Sequence, residues 1–371
     1  MKTIILGAGV TGLAVAYKTK GTIYEAESSP GGICMSYYID GYRFEKGGGH
    51  WVFGVNDEVL KFILKHAEVK FYDRMAGVYV NKIYPYPIQS YFELPETMNP
   101  DTIKEWLYQK FSHDLCRLFF YPFNEKYTSG LYNYVAPQDL YKNPIKSQGY
   151  NARFLYPVLG LDHFITKLST GMDIHYNHKV VKIHPSIKQI TFANGKTETY
   201  DRLISTLPLN TMCKLLDIPL AEELPYTSNM VLNLGATKGR NFPKEHWLYI
   251  PYSESGFHRV GFYSNVERSF APKNRVGLYI EWSYLYGKPD IKRAIKELKD
   301  WGFIKKVDVE HVNKIEIAYT YLWPKSAHRT KFLEKITELG ITMLGRYAQW
   351  RFQGIAESLQ EGLNAVNNNS K

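Results

Sequence analysis

The chain has 371 residues, 44% of them hydrophobic and 22% charged, and its 46 Lys and Arg against 36 Asp and Glu leave a net charge of +10. This length buries a sizeable core and predicts two domains, or one with large insertions, while basic residues interrupted by acids, as in Lys292 to Asp300, argue against a nucleic-acid-binding stripe. No run of about 18 apolar residues predicts a membrane span, the chain starts directly on a strand, and Cys34, Cys116 and Cys213 lack disulfide or metal spacing, so a cytoplasmic protein with buried reduced thiols and no metal is expected.

Lys2 to Leu6 reads as a buried parallel strand and leads at once into Gly7, Gly9 and Gly12, a G-x-G-x-x-G that opens a helix. Gly7 allows the tight turn, Gly9 lets backbone N–H groups approach a pyrophosphate, and Gly12 lets the helix press on the sheet. The helix N-terminus adds partial positive charge and free donors, so an anion belongs there. A second strand, Gly21 to Tyr24, ends in Glu25, close to the ~20-residue separation at which an acid takes a ribose hydroxyl pair.

The diglycine in Glu25-Ala26-Glu27-Ser28-Ser29-Pro30-Gly31-Gly32 has no place in a plain nicotinamide dehydrogenase. Here the chain resembles the flavoprotein superfamily of amine oxidases, protoporphyrinogen oxidases and UDP-galactopyranose mutases. The resemblance implies an FAD cofactor, held by Gly7, Gly9, Thr11, Gly12, Glu25, Gly31 and Gly32.

A hairpin is expected over Ser36 to Phe44, turning at Asp40-Gly41, followed by Gly47-Gly48-Gly49-His50. Each glycine costs about 1 kcal/mol of backbone entropy relative to alanine, which makes sense if a flat ligand lies against the backbone. The stretch resembles the mutases' G-G-H loop, which implies that Gly49 and His50 face the flavin. The apolar spacing then predicts a helix over Asn56 to Glu68 capped by Asn56 or Asp57, strands Ala76 to Val80 and Lys82 to Tyr84, and an amphipathic helix over Asp101 to Phe123.

Phe119 to Tyr127 and Pro137-Gln138-Asp139-Leu140 resemble the mutase segment that holds a uracil ring, which would assign Phe123 and Tyr127 to the nucleotide base. The family's tryptophan is missing there, so another base is open. Tyr150 to Pro157 resembles the return to the flavin domain. The strand of His175 to Ile183, with Val180, resembles the one that contacts adenine. Asn194-Gly195 predicts a type I′ hairpin turn. Tyr200 to Pro208 resembles the superfamily's Y-D-x-V-I-x-T-x-P strand.

From Asn229 to Thr320 the pattern is sheet-like, with a helix over Asp290 to Lys299. Ile341 to Leu344 reads as a buried strand before Gly345-Arg346, and Ile355 to Val366 as a final helix. The resemblance implies that Gly345, Arg346, Gly354 and Ile355 hold the FAD pyrophosphate and ribityl chain. The expected architecture is α/β, with a discontinuous Rossmann-like FAD-binding domain over 1–55, 160–228 and 335–371. A helical insertion over 56–159 and an antiparallel-sheet substrate domain over 229–334 complete it.

Three functions compete on this fold: a nucleotide-sugar mutase, an oxidase or desaturase of the amine-oxidase type, and a binding protein such as the Rab GDP-dissociation inhibitors. Glu25, Arg346 and the triple glycine make sense only with a dinucleotide in place, which disfavours the third. No nucleophile–base pair or paired carboxylates stand out, as a hydrolase would need. In the mutases reduced flavin is itself the nucleophile. The substrate that this resemblance implies is a nucleotide-diphosphate sugar, clamped by Arg259 first and Arg153 second, with Tyr319 and Tyr321 near the family's phosphate tyrosines. Trp350-Arg351-Phe352 departs from the family's Y-R-Y, which opens the choice of sugar. With no second G-x-G-x-x-G, an external flavin reductant is expected. A homo-oligomer remains open.

Overall fold

The computed structural model describes residues 1–88, 100–137, 152–219 and 224–365. Within it the opening run forms a strand, Thr3–Leu6, with all four residues buried, as a strand covered on both faces must be. It is the middle strand of a five-stranded sheet in the order Ile174–His175, Thr22–Tyr24, Thr3–Leu6, Arg202–Ser205, Ile341–Met343, and every neighbouring pair runs parallel. Three distant parts of the chain thus build one Rossmann-like domain. Its termini meet where the first helix, Val10–Thr19, packs on the last, Ile355–Leu363. The contact is close: a Cβ on Gly362 would stand 2.6 Å from both Ala14 Cβ and the Thr11 carbonyl oxygen.

A seven-stranded sheet forms the other wall of the molecule, in the order Ile304–Thr320, Tyr226–Lys238, Val276–Tyr284, Arg259–Gly261, Trp247–Tyr249, Ala76–Val80, Lys82–Pro85. Two expectations change here. The region 56–159 is not simply helical, because Ala76–Val80 and Lys82–Pro85 complete this sheet. In addition, Val69–Asp73 pairs with Arg153–Pro157, which also pairs with Val52–Phe53. Nor is the large sheet wholly antiparallel. Ala76–Val80 lies parallel to Trp247–Tyr249, with Ala76 opposite Trp247, since no hairpin links these distant segments or dictates their direction.

The span 101–123 is not one helix. Ile103–Lys110 is capped by a Thr102–Glu105 capping box, Phe111 is extended, and the Ser112 hydroxyl accepts the Leu115 N–H to start a new turn. Cys116–Phe120 then winds as a π-helix and Tyr121–Tyr127 as an α-helix. In the hairpin Gln189–Phe192/Thr197–Thr199 only Gly195 has a positive φ, +81°, and its N–H donates to the Phe192 carbonyl at 3.0 Å. The link is therefore a type I turn closed by a left-handed glycine, not a type I′ turn. Gln138, Asp139, Leu140, Tyr150, Asn151 and Val366, to which sequence roles were given, lie outside the described residues.

Candidate functional site

The glycine-rich turn shows why each glycine is there. Gly7 has φ +96°, and a Cβ on Gly12 would stand 2.0 Å from the Gly7 carbonyl oxygen. Gly9 has an ordinary φ of −68°, with nothing within 4 Å of where its Cβ would be, so it borders open space. The first helix begins at this space with no acidic residue in its first turn, leaving its positive end unopposed. Gly31 donates its N–H to the Ala8 carbonyl at 2.8 Å, which lays the diglycine along Gly9.

Glu25 accepts the Ala8 N–H at 2.6 Å and the Glu27 N–H at 2.9 Å. Each carboxylate oxygen retains a lone pair for a ribose hydroxyl. Its carbonyl takes the His178 N–H at 2.8 Å, which brings the strand beginning at Val180 alongside. From the other end of the chain, Gly345, at φ +95°, presses on Thr11, where an added Cβ would meet Oγ1 at 2.9 Å. Arg346 bonds the Gln353 and Ala318 carbonyls, both at 3.1 Å, and stacks 4.8 Å from the Phe352 ring centroid. It therefore holds this turn together. The Gly354 N–H is already taken by the Glu357 carboxylate at 2.6 Å and is not open to a phosphate, a correction to its expected role.

One continuous cavity joins these pieces. Gly7, Gly9, Thr11, Gly31, Gly32, Gly49, His50, Gly345, Arg346, Gly354 and Ile355 line it. It then runs on to Phe53, Arg74, Asn229, Trp247, Tyr249, Arg259, Tyr319 and Phe352. Gly12, Glu25 and Val180 stand outside this lining, and Gly12 acts through the backbone.

The triple glycine has a second cause beyond a flat ligand. A Cβ on Gly47 would collide with the His50 ring at 2.0 Å and one on Gly49 with the Tyr279 hydroxyl at 2.0 Å, while Gly48 has φ +78°. His50 Nδ1 lies 3.1 Å from the Ile33 carbonyl, which can only accept, so Nδ1 carries the proton and Nε2 is an acceptor. Burial pushes the imidazole pKa down to about 4, so the ring is neutral. Burial also pushes the Cys34 thiol, in the same lining, up to about 12.

Beyond the glycines the sequence assignments part company with the structure. Arg259 does face the cavity, its guanidinium ion-paired to the fully buried Glu281. Arg153 does not. It is exposed and pairs with Asp73 at 2.9 Å, because Arg153 and Asp73 are register partners at the outer end of their two strands. Tyr319 lines the cavity, but Tyr321 is buried instead, with its carbonyl accepting Trp350 Nε1–H at 3.0 Å. The strand ends at Thr320, so two-residue alternation no longer places 321 on the face of 319. Phe123 is 0% exposed and Tyr127 packs against His258 and Tyr319, so neither offers a face to a base in this cavity.

Sequence reasoning missed Arg74, Asn229 and Trp247. Within the cavity lining, seven buried polar atoms have no hydrogen-bond partner among the described residues: Trp51 Nε1, Arg74 Nε, Asn229 Oδ1, Trp247 Nε1, Arg259 Nε, Arg346 Nε and Gln353 Oε1. Buried polar groups left this way are costly unless water or a ligand meets them. Five of the seven are donors, which suits an oxygen-rich anion.

Residues 5–66 match the family model described as an NAD(P)-binding Rossmann-like domain, and residues 82–246 that described as flavin containing amine oxidoreductase. Solved structures agree in fold. A reduced UDP-galactopyranose mutase superposes with a TM-score of 0.88 at 22% identity, covering 99% of this chain and 93% of that one. A protoporphyrinogen oxidase, so named, from Exiguobacterium sp. 255-15 gives 0.76 at 14% identity, covering 99% and 98%. Putrescine oxidase bound to putrescine gives 0.67 at 14% identity, covering 99% and 98%.

In fold and glycine-rich site the chain resembles the flavin containing amine oxidoreductases, with an architecture like that of UDP-galactopyranose mutase. Its cofactor is FAD, and the residues fit it: an open side at Gly9, an unopposed helix end, Glu25 with spare lone pairs, and the orphaned Arg346 Nε and Gln353 Oε1. Among the described residues no helix is long and apolar enough to cross a membrane.

Proposed function

We propose that the chain is a flavin-dependent mutase that interconverts the pyranose and furanose forms of a nucleotide-diphosphate sugar. The observation that carries this is the set of orphaned donors in the part of the cavity beyond the glycine-rich turn. A diphosphate and a polyhydroxylated sugar present acceptors to such a wall, whereas a protonated amine presents donors to donors. Reduced FAD, when bound, supplies the nucleophile for the anomeric carbon.

The chain's own groups then have three tasks. Arg259, braced by Glu281, meets the charge that develops on the departing diphosphate, and the Tyr319 hydroxyl completes that coordination. His50 presents a neutral Nε2 that accepts a hydrogen bond. Neither Cys34, held as a thiol, nor the neutral His50 forms a nucleophile–base pair, in keeping with chemistry borne by a cofactor.

The likeness to the mutase structure supports the reading. The aromatic wall of Phe53, Trp247 and Phe352 favours a second one, an oxidase or desaturase of a small polar or sugar substrate. The test incubates reduced and oxidised holoenzyme with UDP-, dTDP- and GDP-sugars, read by chromatography and by oxygen uptake. Pyranose–furanose exchange by the reduced form alone is expected. Turnover by the oxidised form with oxygen consumption would replace this reading with the oxidase.

A further inference from the structure

We infer that Arg74 and Trp247 form an anion subsite that receives a phosphate of the substrate's nucleoside diphosphate, an inference that rests on the mutase reading. The two residues are distant in sequence but line the same cavity. Ala76 is opposite Trp247 in a parallel register, and Arg74 sits in the two-residue link just before that strand. Both line the cavity, and both Arg74 Nε and Trp247 Nε1 are buried donors with no partner among the described residues.

The stem of Arg74 is already fixed. Its backbone N–H donates to the Ala152 carbonyl at 2.9 Å, and its guanidinium lies 5.1 Å from the centroid of Tyr86, which packs on Tyr249 at 4.7 Å. A donor held in place without a partner is prepared for a ligand rather than for a neighbour.

Charge points the same way. Arg259, the clamp expected from sequence, is ion-paired to buried Glu281, which offsets part of its charge. Arg346 spends two of its nitrogens on backbone carbonyls at the cofactor turn. Arg153 is engaged outside by Asp73, the residue adjacent to Arg74. Arg74 has no carboxylate partner among the described residues. The nearby His246 takes the Met75 N–H on Nδ1 at 3.3 Å, and burial lowers its pKa to about 4, so it adds no charge. A diphosphate entering this cavity therefore finds a cation without a carboxylate partner at Arg74, with the Trp247 indole N–H in the same lining.

The test titrates oxidised holoenzyme with UDP, dTDP and GDP, and with the matching monophosphates, following the flavin absorbance. Arg74→Met should weaken the best-bound diphosphate by roughly tenfold or more and shrink its preference over the monophosphate, while Arg74→Lys recovers part of both. Trp247→Phe should weaken it a few-fold, with flavin content and melting temperature unchanged in all three.

Wild-type affinity in Arg74→Met, or equal losses for diphosphate and monophosphate, would overturn the subsite and leave the mutase reading standing. A loss seen only with UDP-glucuronate would assign Arg74 to a sugar carboxylate and also overturn it. If wild-type protein binds none of the diphosphates, both readings fall.

Discussion

The two ends of the cavity are built by different means. At the dinucleotide end the contacts come from backbone groups and glycines at turns: Gly12 on the Gly7 carbonyl, Glu25 on the Ala8 N–H, Gly345 on Thr11. At the far end, side chains arrive from separate parts of the sheet, Arg74 from the link before one strand, Trp247 and Tyr249 from a second, Arg259 from a third, Tyr319 from a fourth. The first kind of site depends on residue type at fixed spacing. The second depends on register between strands that the chain places far apart.

The contrast can be broken most sharply at Gly9. Its φ of −68° suits any residue and its Cβ position is open, so Gly9→Val should fold with a wild-type far-UV spectrum yet purify without flavin. Flavin retained at full occupancy would mean that the open side of Gly9 is not the cofactor's. At the other end, Arg259→Met should lower kcat/KM by the equivalent of ~2–4 kcal/mol in transition-state binding while leaving flavin content unchanged. Unaltered kinetics would remove Arg259 from the clamp.

A third test concerns what holds the glycine loop between the two ends. Glu45, fully buried at the head of that loop, accepts the Tyr156 and Ser36 hydroxyls, and desolvation by burial pushes its pKa up to about 8. A raised carboxyl pKa favours the protonated form in the fold. Its contribution is therefore complete below about 4.5 and is lost as pH climbs through about 8. Glu45→Gln should remove that slope and become the more stable protein by a few kcal/mol above pH ~8. Parallel melting profiles for the two proteins from acid to alkaline pH would contradict this.

The smallest expected effect is at Phe352, which lines the cavity where the family carries a tyrosine. Phe352→Tyr should tighten diphosphate binding by no more than ~1 kcal/mol, and weaker binding would show that the apolar ring is itself needed.

The same contrast explains what could be read from sequence. The strand, the glycine turn, Glu25, the diglycine and the closing Gly345-Arg346 were legible because each is a local backbone requirement. His50 was legible through its place beside three glycines, although packing of His50 and Tyr279 explains two of those glycines as well as a ligand does. Arg153 and Tyr321 were misplaced because motif position says nothing of which way a strand end turns. Phe123 looked like a base platform, but an amphipathic aromatic segment reads alike whether its face meets a ligand or, as here, Phe119, Tyr127 and Tyr249. Arg74 sits in no motif, and only the parallel pairing of Ala76 with Trp247 brings it to the site.

The central claim is that the cavity beyond the flavin site takes a nucleotide-diphosphate sugar and breaks its anomeric carbon–oxygen bond. The most direct test is to incubate reduced holoenzyme with nucleotide sugars carrying ¹⁸O in the bridge between sugar and phosphate, and to follow the label by mass spectrometry or ³¹P NMR. The account predicts that the label scrambles into non-bridging phosphate positions with the reduced enzyme and not with the oxidised one. A label that stays in the bridge for every nucleotide sugar that binds would contradict it.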